Sequence, residues 1–336
     1  MKTVKNKEKT KGKNQNVGIK GDKKIITSRG SDPEFFIRNT ETGEIESAVE
    51  VLKRDKHNPI DLGNEVTLYF DGCMGEMTVK PAFSRIEFVE SFRDAFTKVN
   101  KYIKEFCGEK YEIVIQASHL FDEKYMQSSE AMLIGCNPEY RCYPEPAMIT
   151  PPDFSGFTRS AGGHCSIGRK DYLDIQNTEE PLMSFESKID LVKLLDYYLG
   201  IPFVIIDNDK TSLARRSLYS RYISSHRPKD FGIEYRNLSC YWTSSPKLIE
   251  LVYDLSEEAI KKLLSNNYQN IIGLDYKMTE ACILENNKEL AEEILDMIDF
   301  PKKLRIRLNQ YKNVKNWDFY KEWDLSKVNK QELATA

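Results

Sequence analysis

The chain has 336 residues, 40% of them hydrophobic and 30% charged, and a formal net charge of −3. That length and apolar content suit a water-soluble protein able to bury one large core or two ordinary ones. The balance excludes a strongly basic nucleic-acid binder, and no run of about eighteen apolar residues offers a membrane span.

The charge is unevenly spread. Residues 1–24 hold nine lysines against Glu8 and Asp22 and few large apolar groups, so residues 1–26 read as a flexible, lysine-rich tail with at most weak polyanion contact. No apolar stretch follows the lysines, so the start is not a secretory signal. The seven cysteines are scattered without Cys-x-x-Cys spacing, which points to buried small residues in a reducing, cytoplasmic setting rather than a zinc module or disulfide scaffold.

Ordered structure is expected from Ile25. Glu34–Arg38 reads as a strand turning through Asn39–Gly43 into Glu44–Val49, a hairpin. Val66–Phe70 and Cys73–Lys80 read as further strands. Phe88, Phe92, Ala95, Phe96, Val99, Ile103 and Phe106 recur at helical spacing behind Ser84, a candidate N-cap. Tyr111–Ala117 returns to strand, and residues 135–163 form a long Pro- and Gly-rich connection. Phe185–Leu199 is an amphipathic helix closed by Gly200 and Pro202, with Pro202–Ile206 a short buried strand. Pro246 opens a helix to Leu255, and residues 256–336 read as a charged helical extension beyond a catalytic domain at 27–255.

Four segments carry the chemistry. In Phe231-Gly232-Ile233-Glu234-Tyr235-Arg236, strand alternation puts Glu234 and Arg236 on one face and Ile233 and Tyr235 on the other. A surface salt bridge is the simplest account of that pair alone. Gly30-Ser31-Asp32-Pro33-Glu34-Phe35-Phe36 places Asp32 and Glu34 together in the same way. Glu76 sits in the Met- and Val-rich strand after Asp71-Gly72, and His164 and Ser166 share a face of Gly162-Gly163-His164-Cys165-Ser166-Ile167-Gly168. A sheet face carrying Asp32, Glu34, Glu76, His164 and Glu234 calls for cations, because unpaired buried carboxylates cost several kcal/mol each. Oxygen ligands with one imidazole suit Mg²⁺ or Mn²⁺ better than zinc. Arg215, Arg216, Arg227 and Arg236 add the planar forks that match phosphate oxygens, although a positive surface patch near a helix end also accounts for Arg215. No Walker loop or Gly-x-Gly-x-x-Gly is present, so a nucleotide would be held by metal and arginine.

These four segments, with Ile134-Gly135-Cys136-Asn137-Pro138, Leu195-Asp196 to Pro202 and Arg215-Arg216-Ser217-Leu218-Tyr219, resemble the phage phiEco32-like COOH–NH2 ligase type 2 family over residues 27–255. That family in turn resembles the glutamine synthetase and glutamate–cysteine ligase superfamily. The resemblance implies an α+β fold, a curved antiparallel sheet with flanking helices like the glutamine synthetase catalytic domain. It implies Asp32, Glu34, Glu76, His164 and Glu234 as metal ligands, and Arg216, Arg227, Arg236 and Ser166 as residues meeting ATP and the transferring phosphoryl group. It implies ATP and Mg²⁺ (or Mn²⁺) as cofactors, small-molecule or peptide carboxylates and amines as substrates, and a phage protein in the host cytoplasm. The reaction would join carboxylate to amine through an acyl phosphate, with Asp71 or Asp207 as the available base. The family usually has a second His two residues after the first, where this chain has Ser166, and Ser220–Ser224 lacks its glycine turn. Two other readings use the same residues: a non-catalytic interaction or virion-associated relative, and a phosphotransferase of guanidino-kinase type.

Overall fold

The computed structural model describes residues 25–133, 138–149, 156–175, 180–218 and 221–327; the lysine-rich stretch lies outside them. The fold is mixed: among the described residues two large antiparallel sheets are backed by helices, and Ser118–Leu120 pairs with Thr158–Ser160 in a separate two-stranded sheet. The larger sheet has seven strands in the order Ala147–Ile149, Glu139–Arg141, His226–Lys229, Gly232–Tyr235, Cys165–Arg169, Thr27–Ser31, Val79–Ala82. The other has Ile45–Glu46, Glu34–Asn39, Met74–Met77, Thr67–Asp71 and Ile60–Asp61 in order, with Tyr111–Val114 also on Glu34–Asn39.

The two sheets meet at a corner that the chain crosses twice. One crossing is Asp32-Pro33, between Thr27–Ser31 in the first sheet and Glu34–Asn39 in the second. The other is Thr78, between Met74–Met77 and Val79–Ala82. Proline cannot donate to a ladder and is tolerated at such breaks, and the pairing of Thr27–Ser31 with Val79–Ala82 shifts register between Arg29 and Ser31. Asp32 therefore stands at the corner itself, not on a strand with Glu34 as strict alternation would have it.

The core lies behind the larger sheet. Helix Arg85–Tyr102 is capped by Ser84, whose hydroxyl accepts from Glu87 N at 3.2 Å, and it buries Phe88, Phe92, Ala95, Phe96 and Val99 as its spacing predicts. The expected apolar stripe fails at Phe106, which is 72% exposed. A π-turn at Ile103–Cys107 adds a residue to the last turn and rotates Phe106 out of phase. A second π-turn, Asp196–Gly200, follows helix Phe185–Leu195, and the chain then continues as helix Ile201–Ile206. Pro202–Ile206 is thus helical, not a strand. A short apolar run reads alike in both states, Pro202 sits where a first helical turn needs no N–H, and all six residues are buried.

Helix Pro246–Leu264 runs unbroken through position 256. The helices that follow return to the same core: Phe96 packs on Phe319 and Trp323 with ring centroids 4.8 and 5.2 Å away, and the Tyr320 hydroxyl accepts from Ile113 N at 2.7 Å. No helix among the described residues is long and apolar enough to cross a membrane.

Candidate active site

Two rows of side chains cross the inner faces of the sheets. In the larger sheet Gly30 pairs with Ser166, Ser166 with Glu234, and Glu234 with Arg227. Residues directly opposite in adjacent strands share a face, so Ser166, Glu234 and Arg227 lie side by side while Ile167, Ile233 and Tyr235 enter the core. In the smaller sheet Glu34 pairs with Glu76 and Glu76 with Tyr69. Asp71, two residues beyond Tyr69, projects to that same face.

The rows meet at the corner and yield two trios. Asp32, His164 and Glu234 can each place a ligand atom within 4.8 Å of the others, and so can Glu34, Asp71 and Glu76. All five residues singled out as metal ligands are therefore gathered in two neighbouring groups, with Asp71 joining the second. Asp71, read from sequence as a possible base, is one carboxylate among three. The other possible base, Asp207, engages Ser212 Oγ at 2.7 Å and Ser239 Oγ at 3.1 Å.

The two trios differ electrostatically. Burial is the main cause that pushes Glu34, Asp71 and Glu76 upward; Glu34 reaches about 7, with Asp71 adding repulsion and the Gly162 N–H opposing. In the other trio, burial and Asp32 would raise Glu234, but the Arg236 and Arg227 guanidiniums outweigh them and hold its carboxyl below the usual range. Glu234 has three cationic neighbours: Arg236, Arg227 at 3.2 Å and Lys229 at 2.7 Å. Burial and Arg236 push His164 well below an ordinary imidazole. The neutral ring lies with Nδ1 3.1 Å from Arg236 NH1 and 3.3 Å from Asp32 Oδ1. Asp32 Oδ1 is buried and accepts no hydrogen bond.

The Gly-rich segment lets these parts close. Gly162 N donates to Glu34 Oε2 at 2.6 Å while Glu34 N donates to Gly162 O. The Trp242 indole donates to Gly163 O at 2.9 Å. A Cβ on Gly163 would stand 2.3 Å from Trp242 Nε1 and 2.5 Å from Ser239 O. Gly163→Ala is accordingly expected to cost about 1–3 kcal/mol, the range for overpacked sites, as read by urea unfolding.

The arginines sort differently from the sequence reading. Arg227 and Arg236 are at the trios. Arg216 is buried elsewhere: NH1 bonds Asn286 Oδ1 and NH2 lies 3.9 Å from Asp207, so it faces the helices and not the carboxylates. Its neighbour Arg215 takes the place nearer the site, donating to Ser160 Oγ at 2.7 Å and to the carbonyls of Arg236 and Leu238 at 3.1 Å. Both are buried, which removes the surface-patch account of Arg215. Sequence reasoning also passed over Tyr69, Lys229 and Glu139. Tyr69-Phe70-Asp71 carried a usable signal, two polar groups two apart in a strand. Glu139, whose carboxylate is 3.2 Å from Arg236 Nε, had none: it comes from the Pro- and Gly-rich stretch read as irregular, where the structure instead forms strands Glu139–Arg141, Ala147–Ile149 and Thr158–Ser160.

A family model described as Phage phiEco32-like COOH.NH2 ligase-type 2 matches residues 182–320. The match includes Glu234, Arg227 and Arg236 and extends past 255 through most of the C-terminal helices. It and the motif resemblance agree on one enzyme class, a carbon–nitrogen ligase joining carboxylate to amine. Among curated proteins none matches. A solved structure, a bifunctional glutathione synthetase from Pasteurella multocida, aligns with a TM-score of 0.38 at 13% identity, over 88% of this chain and 52% of that one. The chain thus spans about half that protein's length, and a score this low does not equate the folds.

Proposed function

We propose that this chain, whose residues 182–320 match a carboxylate–amine ligase family, is an ATP- and Mg²⁺-dependent ligase that forms an amide through an acyl phosphate. The observation that carries the reading is the pair of acid trios beside Arg227, Lys229 and Arg236 on one sheet corner. The acids fit divalent cations: burial and the like charges of Asp32, Glu34 and Asp71 push the Glu76 carboxyl upward, and Asp32 Oδ1 is an orphaned acceptor. Glu34, Asp71 and Glu76 would hold one cation, and Asp32, His164 and Glu234 a second or the same nucleotide's counter-ion. Bound Mg²⁺ would neutralise charge on the phosphate oxygens and align them.

The chain's own groups supply the rest. Arg236 and Arg227 present guanidinium edges to the transferring phosphoryl, and Lys229 adds a point charge. Ser166, in the row beside Glu234, offers a hydroxyl where the resembled family carries its second imidazole. The substrate carboxylate oxygen attacks the γ-phosphorus, the bond to the β-phosphate oxygen breaks and ADP leaves. The amine then attacks the acyl carbon, phosphate leaves, and a proton is lost from nitrogen. The curved-sheet likeness to glutamine synthetase belongs to this proposal, as do the small-molecule or peptide substrates.

The test is ADP release from Mg-ATP over a panel of amino acids and short peptides, with mass detection of products. Release that requires both a carboxylate and an amine, and yields an amide, supports the ligase. A stable phosphorylated product without amide would instead establish a phosphotransferase. Failure to bind Mg-ATP at millimolar concentration would leave only a non-catalytic role.

The acids also predict a pH dependence. A carboxyl whose folded pKa is raised stabilises the metal-free fold below its ordinary pKa, and that contribution is lost as pH climbs through the folded value. For Glu34 the window runs from the usual carboxylate range to about 7. Cations need the deprotonated form, so the rise in melting temperature caused by Mn²⁺ is expected to grow between about pH 6 and 8. A pH-independent shift, or none, would remove the trio as a metal site.

A further inference from the structure

We propose that Glu139 is a positioning residue that orients the Arg236 guanidinium, and that the Ser224-Ser225 turn holds Glu139 in place. This deepens the ligase reading and rests on it for the identity of the phosphate-bearing ligand.

Each guanidinium nitrogen of Arg236 has a distinct surrounding. Nε donates to Glu139 Oε1 at 3.2 Å. NH1 bonds Glu234 and lies 3.1 Å from His164 Nδ1. NH2 has no hydrogen-bond partner among the described residues, which makes it the edge for an incoming anion. Bonded at Nε and NH1, the planar group has its rotation about the last side-chain bond fixed, and the direction of NH2 is fixed with it.

Glu139 is itself held. The Ser225 hydroxyl donates to Glu139 Oε1, and Ser225 O accepts from Arg236 N at 2.9 Å, so one residue ties both partners. The turn is anchored from below by Asp196, fully buried, which accepts from Ser224 N at 3.0 Å, from Ser224 Oγ and from Tyr235 OH at 2.8 Å. Tyr235 lies between Glu234 and Arg236 in sequence, so the anchor grips the strand that carries both. Groups of this kind, which touch no reacting atom but orient one that does, commonly change affinity or rate by about 10–100-fold when removed.

Charge neutralisation is the competing role for Glu139, and it predicts the opposite sign. Glu139→Ala removes a negative charge beside a proposed anion site, so by Coulomb attraction alone Mg-ATP would bind more tightly. Loss of orientation weakens binding. In the full chain, Glu139→Ala, which removes the acceptor itself, is expected to weaken Mg-ATP binding by about tenfold in calorimetry, within that orienting range. It is also expected to erase the slowly exchanging Nε–H resonance of Arg236 in ¹⁵N-arginine-labelled protein, assigned through Arg236→Lys. Ser225→Ala removes only the hydroxyl and is expected to move both readouts in the same direction, which keeps the test open should Glu139→Ala fail to fold. Unchanged or tighter Mg-ATP binding, or a retained Nε–H signal, would overturn the proposal while leaving the ligase reading intact. Wild-type chain that binds no Mg-ATP would overturn the ligase reading and the phosphate-orienting role together.

Discussion

Glu76→Gln is expected to reduce amide-forming turnover by about 10²–10³-fold, the scale for losing one preorganised electrostatic element, without destabilising the metal-free chain. The second half of that expectation makes the first informative. Glu76 is buried, its row neighbour is Glu34, and Asp32, Glu34 and Asp71 all add to the burial that pushes its carboxyl upward. A structural acid in that position would be a liability, because each like charge nearby raises the cost of ionising it. The neutral amide has nearly the same shape and carries no such cost. In EDTA the variant should therefore melt at the wild-type temperature or above, while the stabilisation by Mn²⁺ collapses. Loss of activity with an unchanged or raised melting point is the signature of a group kept for function at the expense of stability. A melting point several degrees lower in EDTA would assign Glu76 to the fold instead.

Arg236→Lys is expected to lose turnover on a similar scale, about 10²-fold or more, although charge is conserved. The guanidinium meets Glu139 through Nε and both Glu234 and His164 through NH1. An ammonium on a shorter reach can satisfy one of these directions but not all three, and it has no second edge to offer a phosphate. The buried Glu234 keeps Arg227 and Lys229 as partners, so the variant should fold, with a stability loss below the 3–5 kcal/mol typical of an ion left wholly unpaired. Steady-state kinetics beside urea unfolding separates these effects. Near-normal turnover in the lysine variant would return Arg236 to a structural role.

Much of the site was legible because strand alternation is a strong rule. Ile233 and Tyr235 inward force Glu234 outward, and a lone Glu76 among Met and Val residues raises the question of its partner before any coordinates are seen. Sequence also marked Ser84 as a cap and the Phe88–Val99 stripe as a core face, since 3.6-residue periodicity and a hydroxyl before it are local properties. What escaped was non-local or degenerate. Pro202–Ile206 is apolar at every position, so periodicity could not separate helix from strand. Phe106 turned outward because a π-turn changed the phase of an otherwise regular pattern. Arg215 and Arg216 are adjacent and chemically identical, and only the position of their helix beside Ser160 and Asn286 decides which one faces the carboxylates.

The sequence by itself determined which polar residues of this protein lie in or beside apolar strands: Asp32, Glu34, Glu76, His164, Glu234 and Arg236. Those choices are written in composition and in a period of two, which need no partner to be read. Only the tertiary structure decided that the acids and the imidazole divide between two trios instead of sharing one face, because the division depends on a corner at Asp32-Pro33 where two sheets diverge. It alone added Lys229 and Glu139 and moved Asp71 from a possible base into an acid trio, through strand register and a turn distant in sequence. Burial then set one trio apart from the other: Glu234 is compensated by three cations, while Glu34, Asp71 and Glu76 repel one another.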